Sequence, residues 1–316
     1  MDKNNGRPIL VTGAHRSGTT WVGKVLSASP SVGYIDEPFS PVVRHYSPGT
    51  CNAEFDYWWM YVTEENESPY YDHIAAMLEF RYQLGAQLKR IVKNRCGVRT
   101  FLKGFGGFLV NRHVHHARPL LKDPIALFST EWLARRFNMD VVILIRHPAA
   151  FVSSIKRMNW PHDFSNFLDQ PLLMRDHLAP LEEEIREYIK GDHDIIDDAI
   201  LLWRMFYYVV DKFRRYHEDF IFLRHEDLSR RPVEEFRNLF DRLKVESTDK
   251  IRNVIIRHSD ASNPSEAPEG IAHQLKRNSL GNIKNWKNRL SESEIERIRK
   301  GVEDISPLFY EDEDWE

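Results

Sequence analysis

The chain has 316 residues, of which 42% are hydrophobic and 29% charged, a composition typical of a globular protein with a full core. Its 44 basic and 47 acidic side chains leave a formal charge of -3, so no overall positive field would gather nucleic acid or anionic lipid. The most apolar stretch, 199–210, is interrupted by Arg204 and is shorter than the roughly 20 residues of a membrane-spanning helix. We therefore expect no nucleic-acid partner and no membrane span, and any anion site must be built locally.

The two cysteines indicate a reducing compartment. Cys51 and Cys96 lie far apart and match no metal-ligand spacing, so we expect idle thiols and not a disulfide. The chain reaches a predicted strand and a glycine loop by Gly13, which leaves no room for a cleavable signal peptide. These features predict a cytoplasmic protein.

Five short apolar runs alternate with segments of helical periodicity. The runs are 8–12, 32–35, 119–121, 141–145 and 220–223. Segments such as 20–27 and 125–137 space their apolar residues as a helix does. Strands that alternate with helices predict an α/β fold with a mostly parallel sheet flanked by helices. Because no repeat or Gly/Ser linker interrupts the pattern, we predict a single domain over residues 1–316.

Polar side chains follow each apolar run, where the predicted strand would end. In chain order they are the loop 13–20, Asp36 with Glu37, Lys122 with Asp123, Arg146 with His147, and Arg224 with His225. The ligand crevice of an open α/β sheet lies beyond the carboxyl ends of its strands, so we expect these groups to converge on one site. Strands also end in charged residues simply because they end at the surface, and this alternative stays open for any single run.

An aromatic-rich segment lies between the second and third runs. Residues 44–99 include Tyr57, Trp58, Trp59, Tyr61, Tyr70, Tyr71, Phe80 and Tyr82. Such side chains often pack in a local core, but aromatic rings with polar edges also suit sugars and other amphipathic acceptors. We interpret 44–99 as an insertion and a candidate substrate region.

The loop between the first predicted strand and helix has the composition of a phosphate site. From Gly13 to Trp21 it reads G-A-H-R-S-G-T-T-W, and its backbone N–H groups and the positive helix end can bind a phosphate. The spacing matches the nucleotide loop G-x-x-x-x-G-K-[ST], except that Thr19 replaces the lysine. In addition, the run 141–145 ends in Arg146 and not in the aspartate that helps to hold Mg²⁺. The pattern favours a nucleotide with an additional phosphate and no required metal.

These residues resemble the donor-binding motifs of sulfotransferases that use 3'-phosphoadenosine 5'-phosphosulfate (PAPS). The loop is similar to the 5'-phosphosulfate motif, which implies PAPS contacts from Arg16, Ser17, Gly18, Thr19, Thr20 and Trp21. The segment 141–157, with Arg146 at a strand end and Ser154 eight residues later, resembles the 3'-phosphate motif. Pro148 suits the first turn of a helix and would put Ser154 in the second turn, where its hydroxyl and the Arg146 fork could share a phosphate. Ser153 is the adjacent alternative.

Two downstream segments extend the resemblance. The sequence F-L-R-H-E-D-L at 222–228 is similar to the family's Tyr-Glu-Asp-Leu region. Residues 276–287 resemble the basic loop that closes over PAPS, which implies donor contacts from Lys276 and Arg277; a surface loop without function is the alternative. The compact Arg-Lys-Gly and Gly-Asp-Trp-Lys elements of the cytosolic small-molecule branch are absent, so the chain looks more like bacterial and carbohydrate-type sulfotransferases.

Sulfuryl transfer to a hydroxyl requires a base for the acceptor proton and cations for the charge on the donor. Glu37 with Pro38 resembles the Glu-Pro element of carbohydrate sulfotransferases, which implies Glu37 as the general base. Asp36 is the neighbouring alternative, and a helix or turn cap is the structural one. Arg16 stands where the family carries the cation that neutralises the leaving group. Lys122 is the candidate for contact with the sulfuryl group or the acceptor, with a salt bridge to Asp123 as its alternative.

The sequence therefore predicts a PAPS-dependent sulfotransferase that acts on a hydroxyl of a saccharide, glycoconjugate or small molecule without a metal. Two other classes stay open. A phosphotransferase would use the loop 13–20 on ATP and would depend on Mg²⁺. A noncatalytic PAPS-binding protein would keep Arg16, Arg146 and Ser154 without turnover.

Overall fold

The structure is a computed structural model that describes residues 6–41, 51–83, 98–268 and 274–316. In these ranges five strands form one sheet: β1 (Ile9–Gly13), β2 (Val32–Asp36), β3 (Arg118–Lys122), β4 (Asp140–Ile145) and β5 (Ile221–Arg224). Each strand overlaps one of the five apolar runs. The predicted strands are therefore confirmed.

The order of the strands is β2-β3-β1-β4-β5, so neighbours in the sheet are not consecutive in the chain apart from β2 with β3 and β4 with β5. Strand β3 pairs in parallel with β1 and with β2; Leu120 lies opposite Ile9 on one side and Tyr34 on the other. Strands β1 and β3 are buried along their whole length, as expected for parallel strands covered on both faces. The predicted α/β class with a mostly parallel sheet flanked by helices is confirmed.

Helices occupy most of the described chain between and after the strands. The first four are α1 (Thr19–Leu26), α2 (Tyr71–Leu78), α3 (Val98–His113) and α4 (Thr130–Phe137). After β4 come α5 (Pro148–Met158), α6 (Ser165–Leu168), α7 (Pro171–Leu173), α8 (Glu182–Tyr188) and α9 (Ile195–Tyr216). After β5 come α10 (His225–Arg230), α11 (Pro232–Arg242), α12 (Asp249–Ser259), α13 (Ser279–Asn282) and α14 (Glu292–Gly301).

Local sequence explains where several helices begin. Pro148 occupies the first turn of α5, as predicted, because its fixed φ suits that position and its missing N–H costs nothing there. The Asp194 carboxylate caps α9 by accepting hydrogen bonds from the amides of Ile196 and Asp197. The predicted helical segment 125–137 is wrong in its first five residues, since α4 begins only at Thr130 after a single 3-10 turn. The Ile125 amide instead donates to the side chain of Asp123, a local turn that competes with a helix start.

The chain divides into two compact units, Met1–Thr12 with Val22–Val142, and Gly13–Trp21 with Ile143–Glu316. The single-domain assignment made from the sequence stays a prediction. In the described chain, no helix combines the length and the apolar character that crossing a bilayer requires.

Much of the described part of the aromatic segment packs in the first unit. Phe55 is stacked between Phe39, with ring centroids 4.4 Å apart, and Tyr70, at 5.1 Å. Trp59 and Phe80 are also buried. Residues 44–50 and 84–97 of the segment lie outside the described residues. Core packing accounts for four buried aromatic side chains of the segment, Phe55, Trp59, Tyr70 and Phe80. A role of the segment in substrate binding stays a prediction.

In the second unit, α9 packs against α5 and fixes the end of β4. Trp203 and Tyr207 are completely buried, and their rings stack with centroids 4.3 Å apart. The Trp203 indole donates to the Arg146 carbonyl over 3.1 Å, and the Tyr207 hydroxyl accepts from the Arg146 amide over 2.6 Å. Two side chains of α9 therefore hold both the amide and the carbonyl group of Arg146.

Candidate functional site

The loop Gly13–Trp21 joins β1 to α1 in a conformation that depends on two glycines. Gly13 has φ +135° and Gly18 has φ +98°, a region that side chains with a Cβ rarely adopt. A Cβ at Gly13 would collide with the backbone of Leu144, and one at Gly18 would lie 2.7 Å from Nδ1 of His225. Positive φ values are a feature of backbone turns that can bind anions through their N–H groups. The conformation of the loop therefore depends on glycine at both positions.

The polar side chains of the loop differ in their surroundings. Ser17 is completely buried, and its hydroxyl donates to the Ala14 carbonyl within the loop. Thr19 is buried, whereas Thr20 and Trp21 are half-buried. The Ser17 side chain therefore stabilises the turn of the loop, whereas Thr19 and Thr20 form the start of helix α1.

Arg16 connects the loop to several other parts of the second unit. It adopts φ +64°, and its Nε donates to the Ser154 hydroxyl over 3.0 Å. Its guanidinium carbon lies 5.6 Å from the centre of the Trp160 ring, a cation–π contact. Its carbonyl accepts a hydrogen bond from Nη1 of Arg146. The loop, the end of β4 and helix α5 are thereby connected through one arginine.

Five arginines influence one another in the second unit, and we call them the arginine group: Arg16, Arg146, Arg157, Arg277 and Arg289. Burial is the main cause that lowers the pKa of Arg16 to about 9, and the other four guanidinium groups lower it further. Burial followed by the charges of Arg146, Arg157 and Arg289 lowers the pKa of Arg277 to about 10. Grouped, partly desolvated cations of this kind favour a multiply charged anion, which would relieve their repulsion.

Acidic side chains offset only part of this charge. Glu266 pairs with Arg289 over 2.9 Å and with Arg157 over 3.8 Å. The Nε atom of Arg146 is buried and has no hydrogen-bond partner within the described ranges. A buried guanidinium nitrogen without a partner is costly, so the group is suited to an additional acceptor.

Two pairs of neighbouring residues, Ser153 with Ser154 and Lys276 with Arg277, differ in their surroundings. Ser154 accepts from Arg16, whereas the Ser153 hydroxyl donates to the Ala150 carbonyl inside the helix over 3.2 Å. Arg277 is half-buried within the arginine group, whereas Lys276 is exposed. Ser154 and Arg277 are thus the members of each pair that lie with the arginine group.

Two buried histidines, His15 and His225, pack at the loop. The His15 ring lies between Phe151, with centroids 5.2 Å apart, and Phe206, at 6.0 Å. The His225 ring lies against Gly18 and edge-on to Trp21, with centroids 6.1 Å apart. Burial lowers the pKa of both histidines well below the usual value, so both rings are neutral at physiological pH. We interpret both as packing residues of the loop.

The first unit holds a separate group of charged residues at the ends of β2 and β3, which we call the carboxylate–lysine group: Asp36, Glu37, Lys122 and Asp123. Lys122 is only 2% exposed, and its Nζ pairs with Asp36 over 2.6 Å and with Glu37. Burial disfavours the Lys122 ammonium, but the charges of Glu37 and Asp36 outweigh it and raise the pKa of Lys122. The ion pairs of Lys122 are thus with Asp36 and Glu37, and not with Asp123, which was the alternative considered from the sequence.

The two carboxylates beside Lys122 are not equivalent. Asp36 accepts a second hydrogen bond, from the Tyr34 hydroxyl over 2.9 Å. Burial opposes ionisation of Asp36, but Lys122 and the Tyr34 hydroxyl together lower its pKa. Glu37 lies in the left-handed region at φ +43°, and its carboxylate pairs with Lys122. A non-glycine residue in this conformation is strained, and such strain is frequent at functional sites.

The predicted site residues therefore fall into two groups. The loop, Arg146, Ser154 and Arg277 belong to one, and Glu37 and Lys122 belong to the other. Sequence reasoning missed Arg157, Arg289 and Trp160. Arg157 follows Ser154 by three residues on one helix and could have been found from that spacing. No local pattern indicates Arg289 or Trp160.

The described residues contain no cluster of three or more His, Cys, Asp or Glu side chains arranged to hold a metal ion. The thiol of Cys51 is free, and burial raises its pKa to about 12, whereas Cys96 lies outside the described residues.

A mostly parallel sheet, a glycine loop that opens a helix and a group of half-buried arginines at that loop define an α/β protein with a concentration of positive charge in its second unit. The sequence model of the Sulfotransferase family matches residues 8–249, which is most of the chain. The chain belongs to this family, and its class of reaction is sulfuryl transfer.

Solved structures similar to this one have low sequence identity. The sulfotransferase domain of the olefin synthase of Synechococcus PCC 7002 is 15% identical, with a TM-score of 0.49 and 98% coverage of both chains. A sulfotransferase domain of the curacin biosynthetic pathway is 16% identical, with a TM-score of 0.48, and covers 97% of this chain and 98% of its own. The sulfotransferase STF9 of Mycobacterium avium is 14% identical, with a TM-score of 0.44, and covers 98% of this chain and 78% of its own. No curated relative matches the sequence.

Proposed function

We propose that this protein transfers the sulfuryl group of PAPS to a hydroxyl of a saccharide or glycoconjugate, with Glu37 as general base. The single observation that carries the proposal is the arginine group around the glycine loop. Arg16 and Arg146 come from segments 130 residues apart and contact each other at the loop backbone. A donor with phosphates on both the 5' and the 3' positions would give this group the two anions for which its charge is suited.

The residues present fit PAPS. The loop amides with Arg16 would hold the 5'-phosphosulfate, and Arg146 with Ser154 and Arg277 would hold the 3'-phosphate. The Nε of Arg146, for which the described part of the chain offers no hydrogen-bond partner, supports a ligand acceptor at that position. The donor supplies an activated sulfuryl group bound to a phosphate oxygen, and charge grows on that oxygen as the bond breaks. Arg16, fixed by Ser154 and Trp160, is the cation we assign to that charge.

The carboxylate–lysine group supplies the acceptor chemistry. In the step, the acceptor oxygen forms a bond to sulfur, the bond from sulfur to the phosphate oxygen breaks, and the hydroxyl proton moves to a Glu37 carboxylate oxygen. Lys122 pairs with the Glu37 carboxylate and orients it before the step. Its ammonium is also the group we assign to the sulfuryl oxygens or to acceptor placement. We choose Glu37 over Asp36 because the Asp36 carboxylate also accepts from Tyr34.

The acceptor class is the finer part of the proposal. The Glu-Pro element at 37–38 resembles that of carbohydrate sulfotransferases, and the half-buried Tyr57 and Trp58 could contact a sugar face. No residue in either group needs a metal for these roles, so the proposed reaction is independent of Mg²⁺.

The test is a direct assay of the purified protein with PAPS and a pool of oligosaccharides in the presence of a chelator. We expect release of 3'-phosphoadenosine 5'-phosphate (PAP) that the acceptors accelerate, together with a sulfated sugar detected by mass spectrometry. Consumption of ATP that depends on Mg²⁺, without PAP release, would replace the proposal with phosphoryl transfer. Tight PAP binding without any PAPS turnover in the presence of diverse hydroxyl acceptors would indicate a binding protein instead.

A further inference from the structure

Two short turns of similar sequence end the neighbouring strands β2 and β3. One is Glu37-Pro-Phe39 and the other is Asp123-Pro-Ile125. In the second turn the acid caps its own turn, since Oδ1 of Asp123 accepts from the Ile125 amide over 2.9 Å. In the first turn the corresponding Phe39 amide donates to Oδ2 of Asp123 over 2.7 Å. One carboxylate therefore caps both turns.

The backbone of Asp123 is fixed to β1. Its amide donates to the Val11 carbonyl over 3.0 Å, and its carbonyl accepts from the Thr12 hydroxyl over 2.8 Å. The residue is completely buried. Because the main chain of Asp123 is fixed in this way, its carboxylate has a fixed position, and this position determines the conformation of the turn at Glu37.

The capping has a consequence for the chemistry of Glu37. A carboxylate that caps its own turn spends an acceptor oxygen on a backbone amide, as Asp123 does with Ile125. Because Asp123 accepts from Phe39, the Glu37 carboxylate is directed instead to Lys122 and remains 20% exposed. The Glu37 amide also donates to the Lys122 carbonyl over 2.9 Å. This backbone bond and the cap from Asp123 together stabilise the strained conformation of Glu37, with its φ of +43°.

We propose that Asp123 is a positioning residue that holds the turn of Glu37 in its left-handed conformation and keeps the Glu37 carboxylate available to take the acceptor proton. This inference rests on the role proposed for Glu37. Asp123 does not contact the reacting atoms in this scheme and acts only through the turn.

The kinetic test compares Asp123→Asn, Glu37→Gln and the double variant in the slow transfer of the sulfuryl group of PAPS to water, followed as PAP release. Asparagine keeps the size of the side chain, but its NH₂ group cannot accept from a backbone amide, so one of the two caps is lost. We expect Asp123→Asn to lower kcat by about 10-fold or more, since small misplacement of a reacting group is costly, with the KM for PAPS unchanged within about twofold. Since both residues act in one step, the double variant should be no slower than Glu37→Gln alone.

Asp194→Asn is the matched control. Asp194 also accepts from two backbone amides, at the start of α9, and it has no role in the proposed reaction. The control should lower stability but leave PAP release unchanged. A parent rate in Asp123→Asn, or effects of Asp123→Asn and Glu37→Gln that multiply in the double variant, would overturn the inference.

Amide hydrogen exchange tests the turn independently of the chemistry. In the parent protein the Phe39 amide should be protected, and Asp123→Asn should accelerate its exchange while the amides of β4 keep their protection. Asp123→Ser, with a single short acceptor, serves as the second variant if the asparagine does not fold. If the parent protein releases no PAP at all, the proposed function fails, and unchanged protection of Phe39 would then also refute the positioning role.

Discussion

Replacement of Arg146 by alanine tests the assignment of the donor site, because this arginine connects the loop to the end of β4. The backbone of Arg146 is held by Trp203 and Tyr207, so truncation of the side chain should leave its main chain in place. The substitution removes a guanidinium that donates to the Arg16 carbonyl and whose Nε has no partner in the described chain. The variant therefore isolates the contribution of one charged fork.

Two opposing effects set the size of the change. Loss of a charge-assisted hydrogen bond to the 3'-phosphate costs about 2 to 4 kcal/mol of PAP affinity. Removal of one cation also relieves repulsion from Arg16, Arg277 and Arg289 in the free protein, which offsets part of that loss. We therefore expect a loss in the lower half of this range, about 2 to 3 kcal/mol. Since about 1.4 kcal/mol corresponds to a tenfold change in affinity, the Kd for PAP should become roughly 30- to 150-fold weaker.

Titration calorimetry with PAP and with 5'-AMP separates this effect from general damage to the loop. The parent protein should prefer PAP strongly, and Arg146→Ala should remove most of that preference because 5'-AMP has no 3'-phosphate. Arg186→Ala is the control, since Arg186 pairs with Glu182 on the surface of α8 and should not change either affinity. An equal loss of affinity for both nucleotides would refute the assignment, because Arg146 would then act only through the loop.

Three further predictions concern the base, the metal and the response to acid. Glu37→Gln should lower kcat by at least about 10²-fold, since the amide cannot take the proton, with nearly unchanged PAP affinity; transfer to the native acceptor at the parent rate would move the base to Asp36 or to a histidine. Activity should survive EDTA, and a complete loss that Mg²⁺ restores would contradict the proposed reaction. Burial lowers the pKa of His147 to about 3, and its ring stacks on Trp286. Because the folded state resists protonation of His147, the stability that depends on this residue should be present above the unfolded pKa of about 6.5 and should be lost as the pH falls towards 3. His147→Phe keeps the stacked ring, so its denaturation midpoint should depend less steeply on pH in that window, and parallel curves for both proteins would contradict this reasoning.

Local sequence determined the strands, the start of α5 and the glycine loop between β1 and α1. The five strands follow from short apolar runs, because a strand covered on both faces needs apolar residues at nearly every position. The loop follows from two glycines at a fixed spacing between a strand and a helix, since glycine adopts the required positive φ without a steric penalty. Pro148 at the start of α5 is equally local. These features depend on neighbours within a few residues, which the sequence shows directly.

Only the tertiary structure decided which side chains meet. Arg16 contacts Ser154 across 138 residues of chain, and Lys122 selects Asp36 and Glu37 across about 85 residues in preference to the adjacent Asp123. Arg157 and Arg289 likewise join the arginine group through interactions between distant segments. Asp123 caps the Glu37 turn in the same way, from the end of a different strand. Such contacts depend on the order of the strands and on which face each helix buries. The sequence indicates what chemistry each residue can perform, but the partner that determines its charge and orientation is set by packing between distant segments.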